Sequence, residues 1–393
     1  MTKRRVLVVN HFAASLGQAG GTRHIELFSR LREWEFLIVA ANRNHQTGEL
    51  VKSIPGIRSV WVAPYSSNGA RRILNWVSFA VGAILVGVRQ RQVQIVYGSS
   101  PHMLAAAAAL VIARLKRIPF VLEIRDLWPR VLVEMGALRQ GSWLHVALTK
   151  LEEYLYAQAS CIVVLAQGSR DELITRGVPA EKIVYIPNGA DSADFEVSTA
   201  RESIRQRLGF TRFTAVYAGA HGPANGLDLV LDAVDTLRDL DLDIVLVGGG
   251  VSKAGLVKEA ARRSLTNVRF LDPVPKSQIP ELLAAADVGL HVLADVEMFR
   301  SAVSPNKIFD YFAAGLPVVT NCPGLVSQLV QDAGAGYSTE PGDMASGLRQ
   351  AASAPQEARD QMGNSGRDWL QANQSRGAMA SRLEAALQQA VSR

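Results

Sequence analysis

The chain has 393 residues, 48% hydrophobic and 20% charged, which is too long for one ordinary core and supplies enough apolar material for two. Its formal charge of +6 hides an asymmetry: residues 1–195 carry 23 Lys+Arg against 14 Asp+Glu (+9), residues 196–393 carry 19 against 22 (−3). Two cysteines far apart, Cys161 and Cys322, exclude a disulfide framework and fit buried thiols in a reducing, cytoplasmic compartment.

Strand-like runs alternate with helical patterns along the whole chain, which predicts an α/β protein with parallel sheets covered on both faces. Met1-Thr2-Lys3-Arg4-Arg5 runs straight into Val6-Leu7-Val8-Val9, leaving no separate apolar leader. Strands are expected at 5–10, 35–40, 59–62, 94–97, 120–123, 161–165 and 183–186. Gly20-Gly21-Thr22-Arg23 forms a loop opening a helix after the first strand, where backbone amides can approach an anion. There is no G-x-G-x-x-G, so a dinucleotide fingerprint is excluded.

Between Glu49 and Glu123 lie nine basic residues and no acidic one. Within that window Ile73 to Val88 is almost wholly apolar, flanked by Arg71, Arg72, Arg89 and Arg91. The stretch is short for a membrane span, which needs about 20 residues. It suits a helix lying on the anionic inner leaflet, or a helix packed in the first domain with arginines snorkelling at its ends. No aromatic-basic interleaving accompanies the charge, so nucleic acid is not the expected partner.

Glu123-Ile124-Arg125-Asp126-Leu127-Trp128-Pro129 follows a strand end. Asp126 there can orient or deprotonate an acceptor hydroxyl, or cap a helix starting near Leu127. Ile186-Pro187-Asn188-Gly189-Ala190-Asp191 carries a turn signal, and the domain boundary is expected within 194–201. The strand pattern then restarts at 213–218, 242–247, 268–270, 288–291 and 318–320, giving domains over 1–195 and 196–375. A last helical stretch, 376–393, follows no strand and can cross back onto the first domain.

In the second half, Tyr217-Ala218-Gly219-Ala220-His221-Gly222 and Leu246-Val247-Gly248-Gly249-Gly250 end strands, where ligands of open α/β sheets bind. His11, His102 and His221 sit at strand ends, His221 being the strongest catalytic candidate. Asp239, Asp241 and Asp243 have the spacing of a metal-diphosphate motif but fall at the amino end of a strand, the wrong edge for a cleft; no Cys/His cluster has metal-ligand spacing. The densest signal is Ser304-Pro305-Asn306-Lys307-Ile308-Phe309-Asp310-Tyr311-Phe312-Ala313-Ala314-Gly315-Leu316-Pro317, a loop and helix before a Val-Val strand. Lys307 and Asp310, three apart, share a helix face, a cation for phosphate beside a carboxylate for a ribose diol.

These motifs resemble glycosyltransferase family 4, the retaining GT-B enzymes, and more narrowly their bacterial surface-polysaccharide branch, over nearly the full length. The resemblance implies two Rossmann-like domains facing a central cleft. It also implies transfer of a sugar, an N-acetylated hexose or deoxyhexose, from a UDP-sugar to a lipid-linked glycan at the inner membrane face, with no cofactor or metal. Gly21, Gly219 and Gly249 then face donor or acceptor. Ala302 stands where the family has the first of two glutamates, Asp310 where it has the second. Ala220 and Asn225 replace the family's diphosphate-binding Arg and Lys, and Arg125 replaces a His. The phosphate role therefore moves to Lys307, supported by Arg300 and the amides of 304–306, including Ser304 and Asn306. A UDP-sugar epimerase of GT-B architecture and a non-catalytic partner subunit are the alternatives.

Overall fold

Apolar runs rich in Val and Ile, without alternation, make strands buried on both faces. The computed structural model describes residues 3–16, 18, 21–45, 47–65 and 69–392; Met1, Thr2 and Gly20, named above, lie outside them. The chain divides into one unit of Met1–Pro187 with Arg376–Arg393 and a second of Asn188–Ser375.

In the first unit, β1 (Arg4–Val9), β2 (Trp34–Ala41), β3 (Ile57–Val60), β4 (Val93–Ser99), β5 (Phe120–Ile124), β6 (Cys161–Val164) and β7 (Ile183–Tyr185) form a parallel sheet in the order β3-β2-β1-β4-β5-β6-β7. One face, carrying Val6, Val8, Ile38, Tyr97 and Val163, packs with Leu27 and Phe28 of helix Arg23–Phe28 and with Met379, Leu383 and Leu387 of helix Arg376–Ser392. The opposite face meets helices Ala70–Arg89 and Met103–Lys116. These approach so closely at Gly87 that a Cβ there would lie 2.6 Å from Ile112 Cδ1 and 3.1 Å from Leu7 Cδ2.

The second unit builds β8 (Phe213–Ala218), β9 (Leu242–Val247), β10 (Val268–Leu271), β11 (Val288–His291), β12 (Val318–Thr320) and β13 (Gly336–Ser338) into a parallel sheet ordered β10-β9-β8-β11-β12-β13. Both sheets reverse their winding beside their first strand, between β1 and β4 and between β8 and β11. The carboxyl ends of those pairs are where such sheets open a crevice.

Three expectations need correction. β3 runs Ile57–Val60 rather than 59–62, because Ile57 to Val60 pair with Ile38 to Ala41, whereas the Val62 amide is drawn off by Asn42 Oδ1 at 3.1 Å. β13 was not anticipated: Gly-Tyr-Ser is no apolar run, and its pairing depends on Gly336 at φ +149°, where a Cβ would lie 2.0 Å from the Val318 carbonyl oxygen. The units part at Pro187 and Asn188, ahead of 194–201. Asn188 is bonded to Ser304, and the turn Ser192–Phe195 packs on helix Asn306–Ala314, so both belong with the second core.

Helix Ala70–Arg89 has features of both readings of the basic-apolar segment. Asn75, Phe79, Ala83 and Gly87 are buried against its own domain, while Ile73, Leu74, Val77, Val81, Leu85 and Val88 are exposed.

Candidate functional site

At the carboxyl ends of β8 and β9 two turns pack back to back. Gly219 donates its amide to Val247 (2.9 Å) and His221 to Gly249 (2.8 Å). A Cβ on Gly248 would sit 1.8 Å from the Gly219 carbonyl oxygen, and one on Gly250 2.4 Å from that of His221, so these glycines are required by backbone approach whatever binds beyond them. His221 is fully shielded, and among the described residues neither ring nitrogen makes a well-formed hydrogen bond. Burial, with Lys253 and Lys307 nearby, lowers its pKa to about 4 against an opposing pull from the Val247 backbone. Its ring is therefore uncharged at neutral pH.

Helix Asn306–Ala314 lies across this edge because Ile308, Phe309, Tyr311 and Phe312 form its buried stripe, and because Gly315, at φ +68°, ends it in the left-handed conformation. The Tyr311 hydroxyl fastens it by donating to the Leu290 carbonyl at 3.0 Å. Pro305 precedes it and no side chain caps it, so first-turn amides are left for an outside acceptor. Ser304 is engaged: its hydroxyl accepts from the Asn188 amide at 3.1 Å, and its carbonyl from Asn188 Nδ2 at 3.0 Å. Asn306 is exposed at the helix start.

Lys307 is half-buried and points back over Gly219. Its Nζ lies 4.8 Å from the Tyr217 ring centroid and 3.3 Å from Asn225 Oδ1, which accepts from it. A Cβ on Gly219 would come within 2.3 Å of Lys307 Cε. No carboxylate among the described residues forms an ion pair with it; burial pulls its pKa down to about 8, with Asp310 opposing from farther away. Asn225, where the family has a basic residue, thus holds the lysine in place.

Asp310, expected to share a face with Lys307, makes its ion pair with Lys276, whose Nζ sits 5.3 Å over the Phe195 ring, rather than with Lys307. Arg300, expected to support the phosphate role, is ion-paired at the surface with Asp295 and Glu297, each at 3.1 Å. Asp239 is paired with Arg349, and Asp241 and Asp243 with Arg212, at the amino end of β9.

In the first unit the organising group is one that sequence reading passed over. Glu123, at the end of β5 and wholly buried, accepts four hydrogen bonds: from His24 Nε2 (2.8 Å) and Ser99 Oγ (2.8 Å) on one oxygen, and from Tyr97 (2.7 Å) and Arg23 Nε (3.1 Å) on the other. Burial alone would raise its pKa, yet this surround holds it well below the usual range. Burial, with Arg125 and Arg23, lowers the His24 pKa against the pull of Glu123, and Arg23 is the permanently charged partner of the carboxylate. Arg23 also donates to the carbonyls of Ile186 (2.7 Å) and Pro187 (2.8 Å), tying the glycine loop to the chain's exit from this unit. A Glu inside an apolar strand was the available signal.

Gly21 lies on the loop that returns to β1, its carbonyl accepting from Ala14 at 3.0 Å. Asp126 is not a helix cap: the next helix, Arg130–Glu134, begins after Pro129 with no side-chain cap. The surrounding protein raises the Asp126 pKa against Arg125, and its exposure to solvent limits the rise. His11 and His102 join ring to ring at 2.6 Å, with His102 Nδ1 accepting from the Ala105 amide as the cap of helix Met103–Lys116.

Residues 21–189 match the glycosyl transferase 4-like domain, and residues 212–354 the glycosyl transferases group 1 domain. A putative colanic acid biosynthesis glycosyl transferase, WcaI, of Escherichia coli K12 is 28% identical over 272 residues, covering 66% of each chain. The probable glycosyltransferase WbjE of Pseudomonas aeruginosa is 24% identical, covering 70% of this chain and 69% of its own. The match thus spans about two thirds of the length of these curated relatives. Among solved structures, sucrose-phosphate synthase from Thermosynechococcus elongatus aligns with a TM-score of 0.76 at 15% identity, over 98% of this chain and 99% of that one. Anabaena HepE in complex with UDP and glucose aligns at 0.73 and 18% identity, with the same coverage. The two domain matches together take in every strand but β1, and the chain therefore belongs to the family 4 glycosyltransferases with the GT-B fold of two parallel-sheet α/β domains.

Proposed function

We propose that this protein transfers a sugar, an N-acetylated hexose or deoxyhexose, from a UDP-sugar to a lipid-linked glycan in bacterial surface-polysaccharide synthesis, retaining the anomeric configuration and using no metal ion. The observation that carries the donor reading is Lys307, a half-buried cation without a carboxylate partner among the described residues, set beside an uncapped helix start and the Gly219 turn. That combination suits a diphosphate: the ammonium and the first-turn amides offset the charge that develops on the leaving group. Asp310 accepts the ribose hydroxyls while Lys276 balances its charge. UDP is favoured because HepE is described with UDP and with UDP-glucose, and surface polysaccharide because the relatives' names include colanic acid synthesis and an O-antigen mannosyltransferase.

In the first unit, Asp126 orients the acceptor hydroxyl. Its proton passes to the departing diphosphate as the new glycosidic bond forms and the sugar-phosphate bond breaks, so no protein nucleophile is required. The test is titration calorimetry of UDP, GDP and ADP with EDTA present. UDP-selective, EDTA-insensitive binding that weakens in Lys307→Ala supports the reading. Absence of binding by any nucleotide points to a non-catalytic partner, and unchanged UDP binding in a folded Lys307→Ala removes the lysine from the site.

A further inference from the structure

Helix Ala70–Arg89 is apolar on the wrong side for a helix covering a sheet. Its inner stripe, Asn75, Phe79, Ala83 and Gly87, is buried at four-residue spacing. Its outer stripe, where a surface helix carries polar residues, holds Ile73, Val77, Val81, Leu85 and Val88, each between 40% and 56% exposed. Helix Met103–Lys116, packed alongside, adds exposed Val111 and Leu115, and helix Trp143–Gln158, packed against that one, begins with Trp143 at 80% exposure. Apolar side chains exposed on three helices packed in series mark an interaction face.

The charge around it selects the partner. Arg71, Arg89, Arg91, Arg114 and Arg117 are exposed at the ends of the first two helices, and no acidic residue occurs between Glu49 and Glu123. A helix with apolar contact surface and basic ends is built to lie at the headgroup boundary of an anionic bilayer. A second copy meeting this face about a two-fold axis would set arginine against arginine.

We propose that this face docks the first unit in the plane of an anionic lipid membrane, with Val77, Val81, Leu85 and Leu115 entering the interface and the arginines engaging lipid phosphates. The helix lies on the membrane and does not cross it. By length and composition it could span, but its inner stripe is sewn to the domain: Asn75 Nδ2 donates to the Ala63 carbonyl at 2.7 Å, and Ser78 Oγ accepts the Ala63 amide at 2.9 Å. The inference deepens the lipid-linked acceptor reading by naming the surface that meets the lipid, and it is read without nucleotide, so either can fail alone.

The experiment is flotation of the full chain with phosphatidylcholine vesicles, with and without phosphatidylglycerol, across a salt series. Binding is expected with phosphatidylglycerol only and should fade as salt rises. Replacing both Val81 and Leu85 by Glu, at exposed positions that leave the core intact, should weaken it at least about ten-fold. Arg89→Ala and Arg91→Ala should each cost about five-fold, and UDP affinity should be unchanged throughout. Four results would overturn the proposal: no binding at low salt, equal salt-insensitive binding to both vesicles, full binding by the double variant, or a concentration-dependent dimer that the double variant dissolves.

Discussion

Lys307 shows how one side chain is tuned by what is missing around it. Burial brings its pKa down to about 8, and a pyrimidine nucleotide diphosphate would supply the counter-charge that the protein does not. Truncation to Ala should cost one charge-assisted contact, about 1.5–3 kcal/mol or roughly ten- to hundred-fold in UDP affinity, with little loss of stability. The pH dependence follows in sign. The free lysine is protonated below about 8, and diphosphate prefers that form, so affinity holds up to neutrality and falls as pH rises through about 8, by at most about ten-fold per pH unit. Lys307→Arg, charged throughout, should flatten that profile in calorimetry between about pH 7 and 9.5. A wild-type profile as flat as the arginine variant's would show that Lys307 does not meet the phosphates. Gly219→Ala tests the same geometry from the other side, since its methyl group enters the space of Lys307 Cε. It should lower UDP affinity by displacing the lysine while the thermal transition stays nearly unchanged.

At the scale of elements, the end of β5 is held by a charge with no solvent access. Glu123→Gln keeps the shape but leaves Arg23 buried without its counter-ion, a loss of about 3–5 kcal/mol, whereas Tyr97→Phe removes one hydrogen bond, about 1–3 kcal/mol to a charged acceptor. Chemical denaturation of the two variants should show that order; equal midpoints would mean that the hub is not what anchors the glycine loop. The strands were legible in sequence because apolar Val and Ile runs have few other fates, and most expected strands fall on observed ones within a residue or two. What could not be read is what depends on partners. The register of β3 is set by β2, and β13 exists because Gly336 lets its backbone come against Val318. The hub joins Arg23 to Glu123 across a separation that no local spacing encodes. The ion pairs of Arg300, by contrast, were legible locally, since Asp295 and Glu297 stand five and three residues upstream, the second at ion-pairing distance on any helical turn.

Over the whole molecule, burial of imidazoles makes acid the natural denaturant. His11, His24 and His102 in the first unit, and His221 and His291 in the second, are at most 3% exposed, and burial lowers the pKa of each. Burial brings His11 down to about 2, His102 and His291 to about 3, and His221 to about 4. A neutral buried histidine gains nothing from high pH; it costs stability once the unfolded chain can take the proton. That begins below about 6.5 and continues until the folded pKa is reached. At about pH 5.5 each of the four histidines held at or below about 4 has lost about 1.4 kcal/mol relative to neutrality. His11 and His102 should therefore weaken the first unit by about 3 kcal/mol, to which buried His24 adds, and His221 and His291 should weaken the second by about 3 kcal/mol, a sizeable share of a typical domain's stability. Calorimetric scans at about pH 7.5 and about pH 5.5 should show transitions moving sharply down, with the first unit, followed through tryptophan fluorescence from Trp34, Trp61, Trp76, Trp128 and Trp143, moving farther. His11→Asn with His102→Asn should reduce that acid shift in the first unit even if it lowers stability at neutral pH. A shift of the same size in the double variant would place the acid sensitivity in the carboxylates instead.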